Sequence, residues 1–179
     1  MTTEPGRTER AVRTHLEMRD ISALRATLRP VDDATLEREQ LTPADYRALY
    51  AAVGGAWQWF DRLDARDKEL GTYLAAPNVQ VWILRVAGAV AGYFELQRHD
   101  DARVEIMYFG LLAAYFGRRL GGWMLTRAVE QAFAMNATHV TLHTCTLDSP
   151  HALPNYLARG FMIAREEEYI VEPRQDPTG

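Results

Sequence analysis

The chain has a single cysteine, Cys145, among 179 residues. No internal disulfide can form, and a reducing compartment is consistent with that. No apolar run approaches the roughly 20 residues that a membrane-crossing helix requires, so no membrane partner is expected. The stretch from Met1 to Glu9 is polar and lacks the apolar centre of a secretion signal, which makes a cytoplasmic location the expectation. Neither sign of charge dominates. A net charge of −4 argues against the broad Lys/Arg excess that neutralises many phosphates, and no nucleic-acid partner is expected. The 5 histidines show no close pairing with each other or with cysteine, so no metal site is expected. Internal repeats and low-complexity tracts are also missing. No Gly-Lys-Ser/Thr follows the glycine-rich turn at 117–122, which excludes a nucleotide P-loop.

What remains is an ordinary globular composition, 47% apolar and 25% charged, long enough for one well-cored domain. Residues 12–19 alternate apolar and charged, which predicts a strand at a sheet edge. Residues 25–31 predict a short extended piece interrupted by Pro30, and 35–41 a further strand. Thr42-Pro43-Ala44-Asp45 is a helix start: Thr as cap, Pro at the first helical position and an acid in the first turn. That helix carries Tyr46, Leu49 and Tyr50 inward and stops at Gly54-Gly55. A second helix is predicted over 61–74. Residues 79–86 and 90–96 form a hairpin around Ala87-Gly88, and 103–112 the next strand. The clearest helix is 118–135. A strand over 138–144, a short helix over 149–158 and an extended region over 161–171 complete the order. This is an α/β chain with a mixed sheet, and it lacks the strict strand–helix alternation of a dinucleotide-binding domain.

The most informative stretch is 105–125. An apolar strand runs through a basic glycine turn into an amphipathic helix. Such a junction builds an anion cradle from backbone N–H groups. Gly117, Gly121 and Gly122 keep side chains away, and Arg118 and Arg119 add positive charge, so a phosphate-bearing ligand is expected.

Two blocks of residues resemble the GNAT superfamily of acetyl-coenzyme A-dependent N-acyltransferases. The family's pyrophosphate loop, Gln/Arg-x-x-Gly-x-Gly/Ala, aligns with Phe116-Gly117-Arg118-Arg119-Leu120-Gly121. Phe116 stands where the family has Gln or Arg, and Arg119 stands where it has its first Gly. A side chain at 119 is tolerated if the backbone there is helical and strained if φ is positive. The second block is Ala152, Tyr156, Gly160 and Phe161, with Ser149 where Asn is common and Pro154 expected to kink or shorten the helix. The resemblance implies a GNAT-like mixed, mostly antiparallel sheet flanked by helices. It divides the chain into an N-terminal extension (1–33, partly disordered, a possible edge strand), an acyltransferase domain (34–172) and a tail (173–179).

The resemblance further implies that acetyl-CoA is the co-substrate. Its pyrophosphate would lie on Gly117, Arg118, Arg119, Leu120, Gly121 and Gly122. Its pantetheine arm would run along Phe109, Leu111 and Leu112. The implied activity is direct acetyl transfer to an amine of a small molecule or peptide, with a carboxylate base and a tyrosine acid. The alternative is a weak or inactive CoA-binding module of the same fold. Glu105 aligns with a position that serves as base in some members; otherwise it is a strand Glu paired with Arg103 or Arg98. Glu95 is the rival carboxylate. Tyr156 is the candidate acid for the departing thiolate. Cys145 reads first as a small buried residue, an acetyl-cysteine route being the alternative. His143 reads as structural or substrate-lining. Trp57, Trp59 and Phe60 either wall an acceptor pocket or belong to the core. The acceptor is unspecified, and the assembly is a monomer or homodimer.

Overall fold

Strand β1 (Glu9–Met18) buries Thr14, Leu16 and Met18 along one face and Ala11 on the other. It is not at an edge. β1 lies between β6 (Val140–Cys145) and β7 (Met162–Val171), antiparallel to both. Alternation identifies which face of a strand is buried but not how many neighbours it has. The charges that suggested an edge belong to the polar face of an antiparallel sheet: Arg13 and His15 both reach Glu167 of β7, at 3.3 and 3.0 Å.

The computed structural model describes residues 9–28 and 33–171. The tail 173–179, the first eight residues and part of the 25–31 prediction lie outside them. Within 25–28 there is no strand. The segment straps across two helices instead: Arg25 N–H donates to Arg159 O at 2.9 Å, and Thr27 N–H to Thr126 Oγ1 at 3.0 Å.

Among the described residues the sheet has 7 strands, in the order β2-β3-β4-β5-β6-β1-β7. β2 (Ala34–Glu39), β3 (Val79–Val86), β4 (Ala89–Arg98) and β5 (Val104–Leu111) form an antiparallel half. Helix α1 (Pro43–Gly54) starts as its sequence dictates, with Asp45 N–H bonded to the Thr42 hydroxyl at 3.2 Å. Helix α2 spans only Asp67–Leu74. Residues 61–66, predicted to be helical, are turns that direct Arg62 inward to Glu95. A buried ion pair overrode the local periodicity there.

Helix α3 (Leu120–Ala134) covers the opposite face, and α4 (Ala152–Ala158) follows β6. Pro154 does not kink α4. It lies in the first turn, where its missing N–H is not needed. Two apolar clusters flank the sheet. One joins α3 to Leu16, Leu84, Phe94, Leu96 and Ile106; the other joins α1 and α2 to Val81, Ile83 and Tyr93. Each fully buried Leu or Phe contributes roughly 1.5–3 kcal/mol, so both halves of the sheet are firmly backed and the space between them is set by rigid elements. No described helix is long and apolar enough to cross a membrane.

Candidate active site

Among the described residues, β5 and β6 are the only parallel neighbours, and they pair only at Val104↔Val140 and Glu105↔Thr141. Beyond that fork they diverge. The consequence for β5 follows from ladder geometry. Leu112 N–H donates to Ala91 O at 2.8 Å. Alternate residues of an antiparallel strand face the same neighbour, so Tyr108 and Gly110 also address β4. Phe109 and Leu111 turn their peptide groups to the open side, where β6 has departed. Below them, Met107 is bulged opposite the Glu95/Leu96 step, and a bulge resets which side the next peptide groups face.

The fork opens into a cleft of about 1120 Å³. Of the residues predicted for the site, Phe109, Leu111, Gly117, Arg118, Arg119, Leu120, Gly121, Gly122 and Tyr156 line it. Leu112 and Glu105 do not. Leu112 has its amide committed to Ala91 and its side chain packed with the α1/α2 cluster.

The loop at the far end has the geometry of an anion cradle. Gly117 has φ +74° with open space around it, so its requirement is conformational. Arg119 also lies in the left-handed region, at φ 60° and ψ 15°, as the N-cap of α3, and it offers no side-chain cap. For an L-residue that conformation costs about 1–2 kcal/mol. Of the two outcomes open to position 119, the strained one is realised. The first-turn amides of α3 are left to a ligand or solvent, and a helix N-terminus favours an anion there. Gly121 has room for ordinary contact only. Gly122 has a different role: a Cβ there would stand 2.6 Å from Arg159 Nη1 and 3.3 Å from Thr27 Cγ2, so it is the packing point for the strap. Phe116, 46% exposed, also lines the cleft.

Tyr156 is held edge-on between Phe109 and Phe161, with ring centroids 6.1 and 6.3 Å away. Burial, with the Asp148 charge as a lesser cause, pushes its hydroxyl well above the usual tyrosine range. It therefore stays protonated, which suits a donor.

Neither candidate carboxylate lines the cleft. Glu95 is fully buried among the α1/α2 cluster. The Tyr46 and Tyr73 hydroxyls donate to it, and Arg62 Nη2 lies 3.1 Å away. It is a saturated structural carboxylate. Glu105 sits at the fork, 16% exposed, with Arg103 Nη1 at 2.9 Å, His99 Nε2 at 3.0 Å and His143 Nδ1 at 3.5 Å. Burial alone would raise its carboxyl, but hydrogen bonds from His143 and Arg103 and the Arg103 charge bring it down to about 2.

Trp57, Trp59 and Phe60 are all half-buried and all line the cleft; only Trp59 also packs on an apolar cluster. All three border the cleft, and Trp59 belongs to the core as well. Trp59 lies against Gly54, where a Cβ would stand 2.3 Å from its ring. Its indole N–H donates to Asp148 Oδ1 at 3.3 Å. Asp148 Oδ2 accepts from Thr144 Oγ1 at 2.7 Å and Cys145 N–H at 2.9 Å. Asp148 thus ties the turn after β6 to the segment after α1. The sequence reading missed it, although Asp before Ser149-Pro150 is a turn signal. Cys145, in no disulfide, also lines the cleft.

This geometry agrees with a family model for acetyltransferases of the GNAT family, which matches residues 40–161, more than half of the chain. The chain belongs to the GNAT acetyltransferase family. Solved structures share the fold. A GCN5-related N-acetyltransferase from Kribbella flavida superposes with TM-score 0.65 at 18% identity, covering 94% of this chain and 59% of its own. A tandem GNAT protein from the clavulanic acid biosynthesis pathway gives 0.59 at 15%, covering 92% and 54%. An aminoglycoside acetyltransferase from an uncultured soil metagenomic sample, in complex with trehalose, gives 0.58 at 12%, covering 71% and 87%. The GNAT chain described here therefore spans little more than half of the first two. No curated protein matches it.

Proposed function

We propose that this GNAT protein transfers the acetyl group of acetyl-CoA directly to the nitrogen of an amine, with Tyr156 as the acid that protonates the departing thiolate. The observation that carries this reading is the continuity of three features along one cleft. These are the open edge of β5 at Phe109 and Leu111, the uncapped start of α3 behind Gly117–Gly121, and Tyr156 on α4 between them. Acetyl-CoA, when bound, supplies the activated acyl group and the thiol leaving group. The chain's own contribution is position and charge. The Phe109 and Leu111 peptide groups hold an extended arm as a strand would. The amides of 117–121, with Arg118 and Arg119, hold diphosphate. One open-edge N–H also stabilises negative charge developing on the acyl oxygen.

At the other end, Tyr50, Trp57, Trp59, Phe60 and Tyr108 line the cleft with Asp61 beside them. Such a wall suits a small molecule or peptide whose amine is carried on an apolar body. A polycation would require more carboxylates. The setting is cytoplasmic, without nucleic-acid or membrane partners, and the unit is a monomer or homodimer. The test is calorimetric binding of acetyl-CoA, followed by thiol release across a panel of apolar and polycationic amines. Absence of acetyl-CoA binding removes the proposal.

A second reading, a CoA-binding module with little chemistry, is favoured by one observation: Arg119 occupies the strained position where the family has Gly. Tight acetyl-CoA binding without turnover on any amine would select it.

A further inference from the structure

The proton that an amine must lose has no carboxylate to receive it at the fork, because Glu105 does not line the cleft. His143 does. It is the first β6 residue past the last parallel pair that shares a face with Thr141, and its side chain is 42% exposed. Its Nδ1 lies 3.5 Å from Glu105 Oε1. The other oxygen, Oε2, is taken by Arg103 Nη1 at 2.9 Å and His99 Nε2 at 3.0 Å. The carboxylate is thereby pinned, and the oxygen left over points at His143. An anionic acceptor at Nδ1 selects the tautomer that carries its proton there, which leaves the Nε2 lone pair free.

We infer that His143 is the proton acceptor for the incoming amine and that Glu105 is the residue that positions it. The inference rests on the acetyl-transfer reading above. The balance closes within the cleft. The amine proton goes to His143 Nε2, and the amine nitrogen bonds to the acyl carbon as the carbon–sulfur bond breaks. The thiolate then takes the Tyr156 proton, leaving an amide and a free thiol. The protonated His143 returns its proton through solvent, and Tyr156 regains one the same way. Charged and titratable groups facing His143 come from both neighbouring strands. β5 contributes Glu105 with Arg103 behind it. β1 contributes His15, whose ring centroid is 5.8 Å away, and Arg13. Glu167 and Tyr169 of β7 sit behind these, against His15 and Arg13. Cys145 is the next residue on the same face of β6.

The test uses the full chain and two readouts. The first needs no turnover: ¹⁵N imidazole spectra of histidine-labelled protein, with His143→Gln assigning the signal. The expected result, recorded at a pH high enough to deprotonate imidazole, is His143 in the Nδ1–H form, relaxing toward the Nε2–H form in Glu105→Gln. A wild-type His143 already in the Nε2–H form, or a tautomer indifferent to Glu105→Gln, overturns the inference. The second readout is kinetic, with the best amine from the panel. His143→Ala should lose roughly 10²–10⁴-fold in kcat with acetyl-CoA affinity within about twofold, and free imidazole should restore part of the rate. A folded His143→Ala or His143→Gln protein with kcat within about threefold of wild type overturns it as well. Loss of the acetyl-transfer reading shows as no acetyl-CoA binding by wild type. Loss of the base assignment alone shows as intact binding with the wrong tautomer or an unmoved kcat.

Discussion

Replacing Arg119 with glycine should make the protein more stable and a weaker acetyl-CoA binder at once. Arg119 holds φ 60° and ψ 15° as the N-cap of α3, a conformation that costs an L-residue about 1–2 kcal/mol. Glycine removes that cost but loses more freedom on folding, about 0.5–1 kcal/mol. The net gain is roughly 0.5–1 kcal/mol, which for a chain of this size raises Tm by about 1–4 °C. The loop amides keep their geometry, so the cradle survives, while one cation beside the diphosphate is gone. An exposed ion pair of this kind contributes about 0.2–1 kcal/mol, so Kd should rise up to about fivefold. Arg119→Ala separates the two effects: it loses the same charge but keeps the strain, so its affinity falls equally without any gain in Tm. Scanning calorimetry and titration calorimetry on the three proteins decide the matter. A glycine variant less stable than wild type, or an alanine variant as stabilised as the glycine one, refutes the backbone argument.

Tyr156→Phe should lower kcat by roughly 10²–10⁴-fold while leaving acetyl-CoA affinity within about twofold, since the ring contacts remain; steady-state kinetics with calorimetry checks both. Gly54→Ala should displace the Trp59 ring, destabilising the fold by about 1–3 kcal/mol and raising KM for the amine while acetyl-CoA binding holds. Glu105 should make the fold acid-sensitive. Its carboxyl falls from the ordinary 4.5 to about 2 in the folded state, worth roughly 3 kcal/mol. Because the folded value is the lower one, that stability is complete above pH 4.5 and drains away as pH falls toward 2. Urea midpoints of wild type and Glu105→Gln should accordingly differ at pH 7 and converge near pH 2; a gap that stays constant across that range contradicts the ion-pair account.

Much of the architecture is legible in local signals. The Thr42 cap, the Ala87-Gly88 hairpin and the long apolar arc of α3 each carry their own physical instruction, and each appears as read. The glycine-rich turn at 117–121 was identifiable because few other patterns place backbone amides at a helix start. Misreadings occur where a distant partner outweighs the local pattern. Residues 61–66 carry helical periodicity, yet the pull of buried Glu95 on Arg62 holds them as turns. Leu112 looked equivalent to Leu111, but its amide faces the opposite side of the strand. Glu105 was visible as a carboxylate at the right end of the strand. That it reaches the cleft only through His143 depends on the line along which β5 and β6 part.

Sequence alone determined the ordering of elements, the family's two blocks and the chemistry available at Tyr156, because these depend on residue type and short-range spacing. Only the tertiary structure decided that β1 is an interior strand, that Arg119 sits at positive φ, and that Asp148 ties Trp59 to the turn after β6. The first and the last are contacts between residues far apart in the chain, and the second is a backbone conformation that residue type alone disfavours. Strand order and a bond between Trp59 and Asp148 depend on how distant segments pack, and no short-range pattern encodes that packing.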